Sequence, residues 1–233
     1  MSYPQFELPS CMQSAFSARW FALAALVFLS SLNDSRAAAI SNLGNFNNGD
    51  YSIQQSSPIA QWRAEPFTTG SDATNLVSAT LAMDGTSATT NGGFSVGLYS
   101  NGSDGMPGAS LLSLSGSDTP QTGNYTYTAP SSFTLAPNTT YWIVAMVPLT
   151  GDPTYYNWTF TVNSAFAANP GWSMGASALG VSFYGSAPSW SQSSMPLRMA
   201  IDATPVSTPE PSSACLLAFT GVLPLTRRFR RVE

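Results

Sequence analysis

The chain has 233 residues, of which 43% are hydrophobic, 12% aromatic and only 9% charged. That balance is the reverse of a disordered chain's, and the length suits one packed domain or at most two. There is no lysine and no histidine, and the formal net charge is −4. So few cations neutralise few phosphates, which argues against nucleic-acid binding.

Both ends read as processing signals. Residues 20–29, WFALAALVFL, follow Arg19 and precede a polar stretch and then Ala37, Ala38 and Ala39. A cation, a ten-residue apolar run and an A-x-A site form a signal peptide, here residues 1–39. Cleavage is expected between Ala39 and Ile40, with Ala37 and Ala39 as its small residues. Ten helical residues span about 15 Å, half of a hydrocarbon core of about 30 Å, so a signal helix is favoured over a permanent span. Met12 would give a leader of more ordinary length and is the expected true start. Export implies passage through the Sec translocon.

Residues 40–204 hold two arginines, Arg63 and Arg198, against eight acids, a net charge of −6. Cys11 and Cys215 both lie outside this stretch, so it builds no disulfide framework and no thiolate metal site. It also lacks a sustained helical pattern. Short runs with period-2 alternation are expected as strands at 60–67, 76–83, 94–99, 110–115, 125–128, 139–147, 157–162, 181–184 and 197–202. The breaks carry turn chemistry: Asp84-Gly85, Asn91-Gly92-Gly93, Asn101-Gly102, Asp104-Gly105, Pro107-Gly108, Pro137-Asn138 and Gly151-Asp152-Pro153. Many short strands at regular spacing predict an all-β, antiparallel β-sandwich or jelly-roll-like domain. It would be flanked by the N-terminal signal helix and a C-terminal hydrophobic helix. The run TYWIVAMV at 140–147 predicts a central strand buried on both faces, with Tyr141 and Trp142 as core anchors.

The catalytic inventory of this stretch is thin. Without His, Cys or Lys, the usual triads and zinc sites are excluded. A glycosidase needs two carboxylates at a defined separation, and Glu65 is the only Glu here. Most Asp residues sit beside Gly or Pro, where they make turns. No enzyme activity and no cofactor are expected. Asn101, Ser103 and Asp104 offer oxygens at short spacing, a weak calcium candidate set against a plain hairpin turn. The aromatics beside loops, Tyr155, Tyr156, Trp158, Trp172 and Trp190, are candidates for carbohydrate contact. The competing reading makes them caps on the ends of the core.

The C-terminal stretch, residues 205–233, has three parts in order: Pro209-Glu210-Pro211, the apolar run ACLLAFTGVLPL, and Arg227-Arg228-Phe229-Arg230-Arg231. This order resembles the PEP-CTERM sorting signal, which an exosortase reads in Gram-negative bacteria with exopolysaccharide systems. Terminal arginines resist crossing a membrane, so the preceding domain would lie outside. Twelve helical residues span about 18 Å, which suits transient inner-membrane insertion better than a stable anchor. A simple tail anchor is the plainer alternative.

A second resemblance covers roughly residues 50–204. The order Phe67-Thr68-Thr69-Gly70, Phe94-Ser95-Val96-Gly97-Leu98-Tyr99, Pro107-Gly108 and Leu135-Ala136-Pro137-Asn138-Thr139-Thr140-Tyr141-Trp142 is similar to the choice-of-anchor extracellular domains. That resemblance implies a β-sandwich displayed on a bacterial surface and implies no reaction. Together these features predict an exported, non-catalytic surface or matrix protein of the exopolysaccharide layer, cut by an exosortase. A carbohydrate-binding module using the loop aromatics is the alternative, and a glycan-active enzyme is a remote third.

Overall fold

The structure, a computed structural model, describes residues 38–89, 93–149 and 153–206. The apolar leader run, Arg19, Ala37 and the whole sorting tail from Pro209 to Arg231 lie outside the described residues, as do both flanking helices expected from them. The described residues form an all-β, antiparallel, sandwich-like domain. Among them no helix is long and apolar enough to cross a membrane.

The strands are β1 (Ile40–Ser41), β2 (Gly49–Ser56), β3 (Ile59–Thr68), β4 (Thr74–Thr89), β5 (Ser95–Asn101), β6 (Pro107–Leu114) and β7 (Gly123–Leu135). They continue as β8 (Thr140–Met146), β9 (Thr154–Phe160), β10 (Ala167–Ala168), β11 (Ser173–Met174), β12 (Ala178–Phe183), β13 (Ser189–Gln192) and β14 (Met199–Pro205). Their order in space is β10-β1-β14-β4-β9-β2-β3-β8-β5-β6, with β7 on β4, β11 and β12 on β3, and β13 on β12. Just beyond β6, Ser115 and Thr128 exchange both main-chain bonds at 2.8 Å. That bridge links β6 to β7 and so leads the pairing back to β4, closing one side of the sandwich.

Each expected strand has an observed counterpart. The strand after residue 153 starts three residues earlier than expected, and β4 and β7 run longer. β4 is long because one of its edges serves two neighbours, while β7 pairs along the other: residues 74–81 pair with β14, and 83–89 pair with β9. Its apolar side chains Leu76, Ala79, Leu81 and Met83 are buried, and the spacing of three between the first two breaks the two-residue period. A bulge at Val77, skipped by both partner strands, restores the phase and leaves Val77 exposed. The turn expected at Asp84-Gly85 is not there; the strand passes straight through. Gly85 meets another requirement: its N–H bonds the Thr122 hydroxyl at 2.9 Å, and a Cβ would stand 2.7 Å from the Thr122 main chain.

The main core gathers Ile40, Ile53, Phe67, Leu81, Leu98, Leu135, Ile143, Tyr156, Trp158, Leu197 and Met199. β8 is buried on both faces, as its apolar run predicts. Tyr141, Ile143 and Ala145 enter the main core, while Trp142 and Val144 form a second cluster with Ala64 and Ala178 on the opposite face.

The β12–β13 hairpin turns at Tyr184 and Gly185, with φ of +51° and +74°, and Ser186 N–H bonds the Phe183 carbonyl at 3.0 Å. A bulky side chain in left-handed backbone is strained, and Asn fits there better. Tyr184 is 83% exposed, so it loses little packing when replaced. Tyr184→Asn is expected to raise stability by about 1 kcal/mol, read from the urea midpoint.

Candidate functional site

The face of β3 and β8 that turns away from the main core carries a cavity of about 320 Å³. Three rows of paired residues cross this face. Trp190, Gly180 and Trp62 form one row across β13, β12 and β3. Ala178, Ala64, Val144 and Gly97 form the next, and Pro66, Trp142 and Tyr99 the third. Large rings lie over small residues: a Cβ on Gly180 would stand 2.7 Å from the Trp190 ring. Trp62 and Trp190 meet edge to face at 6.3 Å, a favoured geometry for aromatic pairs.

The cavity sits at the Pro66–Trp142 end of this face. Trp142 and Met106 supply apolar lining, and Asn101, Thr68, Thr140 and Gln192 supply polar lining. Asn101 Oδ1 accepts the Trp142 indole N–H at 2.9 Å, which ties the hairpin to β8. The Thr68 and Thr140 hydroxyls bond one another at 2.9 Å. A second cavity of about 210 Å³ shares Met174, Gly175 and Ala176 with the first. No charged side chain among the described residues lines either one. On the same face, the indole N–H of Trp62 is buried without a hydrogen-bond partner among the described residues.

The five loop aromatics divide. Tyr156 and Trp158 are fully buried, and Trp172 is 7% exposed. Tyr156 donates its hydroxyl to the Asp118 carbonyl and Trp158 its indole N–H to the Arg198 carbonyl. Trp172 stacks on Phe67 with centroids 6.0 Å apart. These three are core, and burial removes them from any contact with a surface glycan. The earlier start of β9 accounts for Tyr156, because it draws residues 154–156 out of the loop and into a paired strand, whereas Trp158 lies in the part of the strand already expected. Tyr155 is half-buried on β9, and Trp190 is half-buried on the outer face just described.

The residues weighed for calcium form a hairpin turn. Asp104 Oδ1 accepts the Met106 N–H at 3.1 Å, and Gly102 N–H bonds the Met106 carbonyl at 2.7 Å. With Asn101 Oδ1 held by Trp142, two of the three candidate oxygens take protein donors. Among the described residues no group of three or more His, Cys, Asp or Glu could share a metal ion.

Asp50 and Asp84 lie close enough to interact. Burial, and then the Asp84 charge, raise the Asp50 carboxyl above its ordinary value. Neither residue lines either cavity, and Asp84 accepts the Thr122 hydroxyl at 3.4 Å. Glu65 is wholly buried on the main-core side of β3 and accepts the Leu197 N–H at 2.9 Å. Burial holds its carboxyl well above the usual range, against the smaller opposing effect of that bond.

At the start of the domain, Ala39 and Ile40 are buried. Ala39 N–H bonds the Ile201 carbonyl at 2.8 Å, and Asn169 N–H bonds the Ala39 carbonyl at 2.9 Å. Ile40 pairs with both Ile201 and Ala168.

Sequence reasoning took Trp142 as core alone and did not single out Met106 or Gln192. The alternation of Trp62, Ala64 and Pro66 along β3 was the available signal that this strand has a second apolar face. No family model, no curated protein and no solved structure matches the chain.

Proposed function

We propose that the chain is an exported, non-catalytic protein of the exopolysaccharide layer of a Gram-negative cell surface. In this reading the leader, expected at residues 1–39, is a signal peptide with its helix. The described strands form a jelly-roll-like domain of the choice-of-anchor kind. The tail inserts transiently in the inner membrane until an exosortase cuts near Pro209-Glu210-Pro211.

One observation in the fold carries the reading. β1 and β14 are antiparallel neighbours, with Ile40 opposite Ile201 and Ser41 opposite Ala200. The chain therefore enters at Ala39 and leaves past Asp202 at the same end of the same sheet. That arrangement suits a domain whose leader and tail are both processed at one membrane. The last described main-chain bond, Val206 N–H to the Ala73 carbonyl, stands three residues before Pro209, so the cut would fall just outside the sheet.

The same strand bears on the leader. A cut between Ala39 and Ile40 would remove two main-chain bonds and leave an ammonium group at the fully buried Ile40. Burying an unpaired charge is costly. A cut after Ala37 keeps β1 whole, with Ser35 and Ala37 as the small residues of the site.

Mass spectrometry of the exported product tests both ends. The expected mature chain begins at Ala38 and ends near Pro209–Pro211. Replacing the Pro-Glu-Pro together with Arg227, Arg228, Arg230 and Arg231 by alanine is expected to abolish the C-terminal cut. Unchanged maturation would reject the sorting reading.

A further inference from the structure

We propose that the outer face of β3 and β8, with its cavity, binds an uncharged glycan chain. This adds a ligand to the matrix role and stands or falls independently of how the chain is sorted.

The chemistry of the lining selects the ligand. A site for an anion needs cations or converging N–H groups, and a site for a cation needs carboxylates. Among the described residues this cavity has no charged side chain: its polar groups are two hydroxyls from Thr68 and Thr140, a hydroxyl from Ser173, and the amides of Asn101 and Gln192. Such groups match a ligand that donates and accepts hydrogen bonds while carrying no charge. Because Asn101 Oδ1 is taken by Trp142, the Asn101 amide offers its two N–H donors. The Thr68–Thr140 pair shares one hydrogen, which leaves one hydroxyl hydrogen and further lone pairs for a ligand.

The apolar lining narrows the choice further. Half-buried Met106 and Met174 give the cavity a polarizable apolar surface among these hydroxyls and amides, beside Trp142, which is itself 3% exposed. A sugar ring presents the same combination, with apolar C–H faces and a rim of hydroxyls. A volume of about 320 Å³ is at the lower end of the range for small-ligand sites, which run from about 300 Å³. Beyond the cavity, half-buried Trp62 and Trp190 lie on the same face and pack against the buried Ala64, Val144 and Ala178. The opposite case, a uronic-acid polymer, meets a domain of net charge −6 without a cation at the site.

Affinity electrophoresis of the full chain in native gels containing hydroxyethyl cellulose, xyloglucan or polygalacturonate tests this. The chain is expected to be retarded by at least one of the two neutral polymers and not by polygalacturonate. Gln192→Ala removes one exposed amide at the rim and is expected to weaken retardation about five- to tenfold, the worth of one hydrogen bond. Trp190→Ala is expected to weaken it about tenfold. Because Trp190→Ala also disturbs the hairpin, Gln192→Ala decides the matter. Tyr184→Ala removes an exposed ring outside the cavity and is expected to change nothing. The proposal is overturned if neither neutral polymer retards the chain, if polygalacturonate retards it equally, or if Gln192→Ala binds as the native chain does. An unprocessed chain that still binds, or a processed one that does not, separates this proposal from the sorting reading.

Discussion

Glu65→Gln is expected to flatten the dependence of stability on pH and to leave the variant more stable than the native chain at pH 8. Glu65 is fully buried on β3, with one oxygen on the Leu197 N–H and the other, Oε1, without a hydrogen-bond partner among the described residues. Burial disfavours the charged form and raises the folded-state pKa well above the unfolded value, which lies near 4.3. The folded state therefore holds a proton that the unfolded state gives up. Stability from this group is fully present below the unfolded pKa and is lost as pH rises towards the folded one, by up to about 1.4 kcal/mol per pH unit. Asp50, raised more modestly, acts with the same sign. Glutamine keeps an acceptor for Leu197 and cannot ionise. Urea unfolding between pH 5 and 8 measures the difference, and equal slopes in the two proteins would show that Glu65 stays ionised in the fold.

Trp158→Ala is expected to cost about 3–5 kcal/mol, a large part of the roughly 5–15 kcal/mol that holds a domain together. The ring is fully buried, and its strand position pairs with Tyr51 on one side and Met83 on the other. Its N–H satisfies the Arg198 carbonyl at 2.9 Å, which the substitution leaves without that donor. Urea unfolding is the measurement, and a loss under about 1 kcal/mol would contradict this placement of the ring. The consequence for function is practical. Loss of glycan retention in Trp158→Ala would report a damaged core, whereas Gln192 lines the cavity on the outer face and reports the site itself.

The contrast between Trp158 and Trp190 shows what was legible and what was not. Both follow loops rich in Pro, Gly or Asp, and both looked equally placed for a surface role. Local pattern says which residues alternate along a strand, but not which face is covered. Trp158 falls on the face of β9 that the main core covers, whereas Trp190 lies over Gly180 on an edge hairpin. β2 was illegible for a related reason. Its sequence, GDYSIQQS, carries few apolar residues, and only Ile53 and Gln55 are buried. It is a strand because β9 and β3 flank it and pair with its main chain.

By itself, the sequence determined the all-β class, most strand positions, the doubly buried strand at 140–146 and the turns at Asn101–Gly105 and Pro137-Asn138. These follow from the two-residue period and from residues that tolerate tight backbone, both of which are local properties. Only the tertiary structure decided that β4 passes through Asp84-Gly85 to serve two neighbours along one edge and that Glu65 is wholly buried. It also decided that residues distant in sequence, Asn101, Trp142 and Gln192, line one uncharged cavity. Those outcomes depend on which strand lies beside which, and pairing between distant segments leaves no periodic mark on either one.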